Sequence, residues 1–288
     1  MSKTHARPLL MGAVAYDPKV ITIWDGFRAW FRRNGLPFDY VLYSNYERQV
    51  DDLVAGRIDV AWNSPLAWVR ARRLAEASGE TVRAVAMRDS DCDLTSVVVV
   101  RAESPVQRVT DLGGKVIATG AVDSPQATLL PLDHLRSLGL EDGTFTVRRF
   151  DVGVGLHGDH IGGERDAARA LMAGEVDAAC MIDGNHLLFS REGTITPGAT
   201  RVIAQTHLYD HCNMTVACSA PEGLIEQFSS LLLGMDYGDA EVRPLLDLEG
   251  LKQWRPGRLD GYGPLEQAVD DLGFYDAKGA VTADDYQP

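Results

Sequence analysis

The sequence predicts an α/β protein of two similarly built lobes. One pattern occurs twice, as LVAGRIDVA at residues 53–61 and as LMAGEVDAA at residues 171–179. Each copy has the features of an amphipathic helix that ends at a Gly, followed by an Asp and a short apolar strand. Strand patterns and helix patterns also alternate along most of the chain, as in parallel sheets covered by helices. The length of 288 residues fits about two domains, and 45% hydrophobic residues suffice for their cores.

The first lobe begins with an apolar strand at residues 9–15 and a helix from about 19 to 33. Aromatic residues of this helix recur at helical spacing, which predicts that they face the core: Trp24, Phe27, Trp30 and Phe31. The same patterns predict strands near 38–43, 58–62 and 82–87 and helices near 47–53 and 65–77. The run at 94–100 is continuously apolar and β-branched, which predicts a strand buried on both faces that leads out of this lobe.

The second lobe repeats the alternation. Strands are predicted near 115–119, 145–150, 176–182 and 201–204, and helices near 125–137 and 163–173. A second β-branched run at 214–220 returns the chain to the first lobe, where helices near 221–233 and 265–272 follow. The predicted lobes are therefore residues 1–100 with 210–288 and residues 101–209, joined by a hinge at the two crossings. Ligands of such folds bind in the cleft beside the strand ends.

Composition narrows the partners and the location. A net charge of −13 and a pI of about 4.9 argue against nucleic acids and anionic membrane surfaces as partners. No apolar run approaches the roughly 18 residues that insertion into a membrane requires. The apolar stretch at residues 9–15 is short for a signal peptide, and the four cysteines form no CxxC pair. We therefore expect a cytoplasmic protein.

Three short motifs follow predicted strands: Tyr16-Asp17-Pro18, Asn63-Ser64-Pro65 and DSPQAT at residues 123–128. Over about residues 9–235, the chain resembles the phosphate/phosphite/phosphonate-binding branch of the type II periplasmic solute-binding proteins. The resemblance implies a type II periplasmic-binding-protein-like fold whose two lobes close over one small ligand. It also implies that hydroxyls and amides at helix N-termini hold an anionic group, such as a phosphonate, a phosphate or a carboxylate. A transporter partner is doubtful, because the sequence offers no convincing export signal.

We therefore predict a ligand-binding set drawn from both lobes. Ser64 and Ser124 each precede a Pro suited to the first turn of a helix, so their hydroxyls can face an anion or simply cap the helix. Tyr16 and Asp183 have an equally simple alternative role as residues of tight turns. The predicted ligand-binding residues are Tyr16, Asn63, Ser64, Ser124, Gln126, Thr128, His157, Asp183 and His211.

Two histidine-containing clusters indicate a different class of function. A Gly-rich segment holds His157, His160 and Glu164, and the segment 207–213 holds His211 and Cys212. Imidazole, carboxylate and thiolate groups are ligands of transition metals, so these five residues can hold a divalent zinc, iron or manganese ion. The alternative function is a metal-dependent lyase, decarboxylase or hydrolase on the same scaffold. Histidines also donate hydrogen bonds to bound oxyanions, so both functions stay open.

Cysteine nucleophiles and nucleotide cofactors receive less support. Cys212 beside His211 is an unfavourable pair, because adjacent residues of an extended segment point to opposite faces. The chain has no nucleotide phosphate loop and no dinucleotide-binding fingerprint. No catalytic residue is assigned, and a metal is the one cofactor that the sequence indicates.

Overall fold

The computed structural model describes residues 7–151 and 160–288, and within these ranges eleven strands form two separate sheets. The strands are β1 (Leu9–Val14), β2 (Phe38–Tyr43), β3 (Val60–Asn63), β4 (Val82–Arg88), β5 (Ser96–Arg101), β6 (Val116–Thr119), β7 (Thr146–Arg149), β8 (Ala178–Ile182), β9 (Thr200–Gln205), β10 (Asn213–Ala217) and β11 (Trp254–Pro256). The helices are α1 (Lys19–Arg33), α2 (Tyr46–Val54), α3 (Pro65–Ala77), α4 (Leu130–Ser137), α5 (His160–Ala173), α6 (Asp183–Glu192), α7 (Glu222–Leu233), α8 (Arg243–Glu249) and α9 (Gly263–Asp271). A π-helical turn, Pro125–Leu129, runs directly into α4. Among the described residues, no helix combines the length and the apolar character needed to cross a membrane.

The first sheet has the strand order β11-β4-β10-β3-β1-β2. β1 pairs in parallel with β2 and β3, as expected for strands joined by helical crossovers. β10 lies antiparallel between β3 and β4, with Asn213 opposite Asn63. The first lobe is thus built from two separate parts of the chain.

The second sheet has the order β7-β6-β8-β5-β9. β6 pairs in parallel with β7 and β8, whereas β5 is antiparallel to β8 and β9. The buried run of β5 is therefore an inner strand of this sheet, as its continuous apolar character predicts. The two sheets confirm the predicted two-lobed α/β fold. The exact lobe boundaries stay a prediction, although strand pairing assigns Ser96–Arg101 to the second sheet.

The two chain crossings meet at one point between the sheets. Leu94, just before β5, and Tyr209, just before β10, exchange backbone hydrogen bonds of 2.8 and 2.9 Å. The Tyr209 side chain is buried, and its hydroxyl lies 2.8 Å from the Ser96 hydroxyl. A hinge motion of the lobes would act on this short paired segment.

The repeated pattern folds as two matching corners, one in each lobe. The Gly of each copy ends its helix with a left-handed φ, of +68° in the first copy and +76° in the second. The Asp that follows accepts a hydrogen bond from the neighbouring strand: Asp59 from the Leu10 N–H and Asp177 from the Val116 N–H, both at 2.9 Å. The pattern thus reports a shared helix–turn–strand construction.

Aromatic side chains of α1 form the core of the first lobe. Trp24, Phe27 and Phe31 are at most 1% exposed. The Phe31 ring centroid lies 5.2 Å from that of Phe228 in α7, and Phe27 meets the edge of Trp254 in β11. The helical spacing of these aromatics correctly predicts a core-facing stripe. The C-terminal part of the chain completes this core.

The residues after α9 contact both lobes. Their apolar side chains share a buried cluster with α3 of the first lobe and with the π-helical turn of the second. Arg73 of α3 donates hydrogen bonds to the backbone oxygens of Tyr275 and Asp276 at 3.1 Å. Arg149 of the second lobe forms an ion pair with Asp285. The C-terminal segment therefore ties the lobes together in this conformation.

Candidate functional site

The site is built where helices begin after strands of the two facing lobes. Ser64 follows β3 and precedes α3, and Asp123 lies between β6 and the π-helical turn. Both residues line one small cavity, together with Tyr46 and Glu47 of α2 and two C-terminal tyrosines, Tyr275 and Tyr286. The N-terminus of α3 and the residue that precedes the π-helical turn therefore line this cavity from the two lobes, as expected for an anion-binding cleft.

The cavity is nearly closed in this conformation. It offers about 10 Å³ to the centre of a water-sized sphere, which is room for one water molecule at most. A larger hollow of about 380 Å³ lies on the first lobe near Tyr237, but no predicted site residue lines it. The residues that line the small cavity between the lobes therefore make it the candidate ligand site. A ligand can bind there only if the surrounding groups move apart.

Ser64 and Ser124 cap the two helical turns in the same way. The Ser64 Oγ accepts a hydrogen bond from the Ala67 N–H at 3.1 Å, and the Ser124 Oγ accepts one from the Ala127 N–H at 3.2 Å. Each bond uses the hydroxyl as an acceptor, so the hydroxyl proton can still be donated to an anion. The capping role and the ligand role are therefore compatible at both serines.

Thr128 and Asn63 make internal hydrogen bonds. The Thr128 hydroxyl donates to the Ala121 backbone oxygen at 2.7 Å. The buried Asn63 amide donates to the Thr215 hydroxyl at 2.9 Å and accepts from Gln49 at 2.8 Å. These bonds fix the ends of β3 and of the π-helical turn. A direct ligand role for either residue stays a prediction.

Tyr16 and Asp183 lie at other strand ends. Tyr16 follows β1, is half-buried against the first core cluster, and has the Lys19 ammonium 5.5 Å from its ring centroid. Asp183 is exposed and begins α6, so it belongs to a helix rather than to a tight turn. Its carboxylate accepts a hydrogen bond of 2.9 Å from Thr95.

Glu164 of α5 is a fully buried carboxylate. Its Oε2 accepts hydrogen bonds from the Ile182 N–H at 3.0 Å and from Asn185 at 2.8 Å. Burial raises the pKa of Glu164 to about 7, although these donors and Gln126 oppose the shift. The Glu164 Oε1 and the Gln126 Oε1 are buried acceptors without a hydrogen-bond donor among the described residues. A group with N–H or O–H donors could satisfy both.

His211 and Cys212 meet a third residue, Asp91, which follows β4. The His211 Nδ1 lies 3.1 Å from the Cys212 Sγ and 3.3 Å from an Asp91 carboxylate oxygen. Burial alone would lower the pKa of His211, but the neighbouring Cys212 and Asp91 outweigh it and raise the pKa to about 10. The expectation that these two neighbours form an unfavourable pair is wrong. Both residues precede β10 and lie outside any strand. The His211 N–H donates to the Asp91 backbone oxygen and Tyr262 donates to the His211 oxygen, both at 2.8 Å.

Arg88 and Glu249 complete the buried charges around this cluster. Arg88 donates to both carboxylate oxygens of Asp91, and its guanidinium carbon lies 5.2 Å from the Trp62 ring centroid. Burial raises the pKa of Glu249 to about 7, while Arg88, 3.5 Å away, acts in the opposite direction. Sequence reasoning missed Asp91, Arg88 and Glu249, because no local spacing connects them to the histidine segment.

Glu47 is a second residue that sequence reasoning missed. Its buried Oε1 accepts hydrogen bonds from the hydroxyls of Tyr275 at 3.1 Å and Tyr286 at 2.8 Å. Its other oxygen, Oε2, is buried without a donor in the part of the chain that the structure describes. The cavity between the lobes therefore has an acidic wall beside its helix N-termini.

The remaining predicted metal ligands cannot be placed together. His157 lies outside the described residues, and His160 is the first residue of α5. Glu164 is held by α6, as described above. The ligand set that combines these residues with His211 and Cys212 therefore stays a prediction.

Comparison with known proteins identifies the family. The family model described as "ABC transporter, phosphonate, periplasmic substrate-binding protein" matches residues 13–262. No curated protein matches the chain in sequence. The match supports a binding role and gives no support to the metal-dependent enzyme.

Solved structures share the fold at low sequence identity. PhnD1 from Prochlorococcus marinus (MIT 9301), in complex with methylphosphonate, has a TM-score of 0.68 at 18% identity and covers 93% of this chain and 98% of its own. XAC2383 from Xanthomonas citri, bound to ATP, has a TM-score of 0.70 at 15% identity, with coverage of 93% and 98%. The aliphatic sulphonate-binding protein SsuA from Escherichia coli has a TM-score of 0.56 at 18% identity, with coverage of 93% and 91%. These likenesses establish the two-lobed binding-protein fold.

The expected cytoplasmic location is wrong, because the family is periplasmic. That expectation relied on the segment 9–15, which contains strand β1, and on cysteine spacing, and neither feature determines where a folded binding protein works. The doubt about a transporter partner had the same basis, and the family works with ABC transporters. The chain belongs to the phosphonate-binding family of periplasmic substrate-binding proteins of ABC transporters.

Proposed function

We propose that this chain binds a small phosphonate-type oxyanion between its lobes, with the Ser64 and Ser124 hydroxyls as donors from opposite sides. One observation carries the proposal: Ser64, which caps α3, lines the same small cavity as Asp123, the residue directly before the Ser124 cap of the other lobe. Each N-terminus adds partial positive charge to a hydroxyl donor, which is the combination that stabilises a bound oxyanion.

The carboxylates at the cavity restrict the class of ligand further. Glu47 and Asp123 are buried beside the two helix N-termini, and the Glu47 Oε2 has no donor among the described residues. A bare dianion would be repelled by these groups. A phosphonate that also carries an ammonium group can place its anion at the serines and its cation at Glu47. We therefore favour an aminoalkyl phosphonate over inorganic phosphate.

Binding requires the lobes or the C-terminal segment to move. The cavity holds at most one water in this conformation, whereas a phosphonate group needs several times that space. The short paired segment at Leu94 and Tyr209 is suited to hinge opening, and Tyr286 is the wall residue nearest the chain end. Ligand entry and closure then follow the hinge mechanism of two-lobed binding proteins.

Isothermal titration calorimetry tests the proposal directly. The ligands are methylphosphonate, aminoethylphosphonate, inorganic phosphate and an alkylsulfonate. We expect aminoethylphosphonate to bind most tightly. Ser64→Gly and Ser124→Gly each remove one hydrogen bond to a charged group, so each should raise the Kd about 10- to 100-fold. Glycine is chosen because it keeps most of the capping stability.

Ser78→Gly is the matched control, because Ser78 lies at the opposite end of α3 and its hydroxyl donates to Leu74 and Ala75 backbone oxygens. It should bind ligand like the wild type. The proposal fails if no anion gives binding heat at millimolar concentration, or if both glycine variants at Ser64 and Ser124 bind as tightly as Ser78→Gly.

A further inference from the structure

Three potential metal ligands converge on one largely buried point of the fold. They are the Asp91 carboxylate, the His211 Nδ1 and the Cys212 Sγ, and their ligand atoms all lie within 4.8 Å of one another. Asp91 and Cys212 are buried, and the His211 side chain is 19% exposed. Among the described residues, no other group of three or more such side chains comes this close together.

We propose that Asp91, His211 and Cys212 bind a divalent transition metal of the zinc type. This set shares His211 and Cys212 with the earlier metal hypothesis, but Asp91 takes the place of the residues at 157, 160 and 164. An oxygen, a nitrogen and a sulfur ligand together match the preference of zinc and exclude calcium and magnesium, which take oxygen ligands.

The distances suit tetrahedral coordination. Bonds of about 2.0–2.3 Å to zinc place neighbouring ligand atoms about 3.3–3.6 Å apart. The observed distances from the His211 Nδ1 are 3.1 Å to the Cys212 Sγ and 3.3 Å to the Asp91 oxygen. These two separations are close to the tetrahedral values, and the third, between the Cys212 Sγ and the Asp91 carboxylate, is no more than 4.8 Å.

The ligands are also held in position before any metal binds. The His211 N–H donates to the Asp91 backbone oxygen, and the His211 oxygen accepts from Tyr262. Asp91 is fixed by two hydrogen bonds from Arg88. Preorganised ligands lower the entropic cost of assembling a metal site.

The charges around the site are compatible with a dication. The facing charged groups are Arg88 and Glu249, with the phenols of Tyr46 and Tyr262 close by. A metal with two positive charges and Arg88 would be balanced by Asp91, the Cys212 thiolate and Glu249. Arg88 therefore does not leave the occupied site with an excess of buried positive charge.

Three protein ligands leave one tetrahedral position open. Structural zinc sites have four protein ligands, whereas sites that exchange a water or a solute have three. A water or an oxyanion is the chemical class that would occupy the open position. Tyr46, which lines the cavity between the lobes, interacts electrostatically with Cys212.

Cobalt titration of the reduced full-length protein, without any anion ligand, tests the site. One equivalent of Co²⁺ should produce a thiolate-to-cobalt charge-transfer band, and Zn²⁺ should displace it. Cys212→Ser should abolish the band and weaken cobalt binding at least tenfold. Cys92→Ser is the matched control, since Cys92 directly follows Asp91 but its Sγ contacts the Arg88 backbone oxygen; it should keep the band.

A second measurement on the wild type avoids any folding defect of the variant. Zn²⁺ should slow the alkylation of Cys212 by iodoacetamide, read by mass spectrometry, and should leave the exposed Cys218 unaffected. Absence of the band and of the protection at micromolar metal would overturn the proposal. A band that survives in Cys212→Ser would also overturn it. Neither result depends on whether a phosphonate binds.

Discussion

Glu164→Gln should remove a pH-dependent cost that the buried carboxylate imposes on folding. Burial raises the pKa of Glu164 from an ordinary value of 4.5 to about 7. The folded protein therefore keeps this proton between pH 4.5 and 7, while the unfolded chain loses it. Stability contributed by this group must fall as the pH rises through that window. At 1.36 kcal/mol per pKa unit, the loss is about 3 kcal/mol.

The amide substitution keeps an acceptor for the Ile182 N–H and for Asn185. It also removes the ionisable carboxyl proton and keeps a side chain of nearly the same size and shape. We therefore expect the variant to gain stability relative to the wild type between pH 5 and 8, by about 2–3 kcal/mol. Urea unfolding followed by circular dichroism at each pH measures this difference.

Glu192→Gln is the matched control for this experiment. Glu192 is an exposed carboxylate at the end of α6, where hydrogen bonds from Arg165 and Thr194 lower its pKa. Its replacement should leave the pH dependence of the free energy of unfolding between pH 5 and 8 unchanged, because this group is ionised in the folded and the unfolded state over that range. Equal pH slopes for Glu164→Gln and the wild type would refute the assignment of a raised pKa to Glu164.

Three further substitutions test the core and the closed conformation. Phe31→Ala should lower the free energy of unfolding, measured in urea, by about 3–5 kcal/mol, because it empties a fully buried site against Phe228. A decrease below about 1 kcal/mol would contradict this packing. Asn63→Ala should lower the free energy of unfolding by about 1–3 kcal/mol, since its two buried partners each lose a hydrogen bond. An unchanged urea midpoint would argue against that network. Tyr286→Phe removes the hydrogen bond to Glu47 and keeps the ring. The melting temperature should therefore fall by a few degrees, which corresponds to a loss of about 1–2 kcal/mol in the free energy of unfolding. An equal or higher melting temperature would show that the bond contributes nothing.

Elements with strong periodicity and clear ends could be predicted from the sequence. The helix predicted at 65–77 and the strand predicted at 38–43 coincide with α3 and β2. In α3, a serine cap and a proline in the first turn define the beginning without help from the rest of the fold. The repeated pattern predicted two lobes because its Gly and Asp act locally, through a left-handed turn and a backbone hydrogen bond.

Elements stabilised by distant residues could not be predicted. α6 begins with Asp183, Gly184 and Asn185, which favour a turn, yet it is helical. Part of the reason is Glu164, whose carboxylate accepts hydrogen bonds from the N-terminal end of this helix. The helix α8 and the strand β11 were missed as well, in a segment rich in Gly, Asp and Pro that is ordered by packing on the α1 core.

The candidate site also contains residues that could be predicted from the sequence and residues that could not. Ser64 and Ser124 could be found because a cap before a proline is a local signal, and the structure confirms both caps. The cluster of Asp91, His211 and Cys212 could not, because β10 brings residues far apart in sequence together through its pairing with β4. The contact of His211 with Cys212 also requires that these residues lie outside strand β10, which the sequence pattern does not indicate.

A crystal structure of the protein with aminoethylphosphonate tests the central claim most directly. The account predicts the phosphonate oxygens within hydrogen-bond distance of the Ser64 and Ser124 hydroxyls, with the ammonium group at the Glu47 carboxylate. It also predicts that Tyr286 or the lobes shift to enlarge the cavity. A ligand held by one lobe alone, or bound outside the cavity without contact to either serine, would contradict the account.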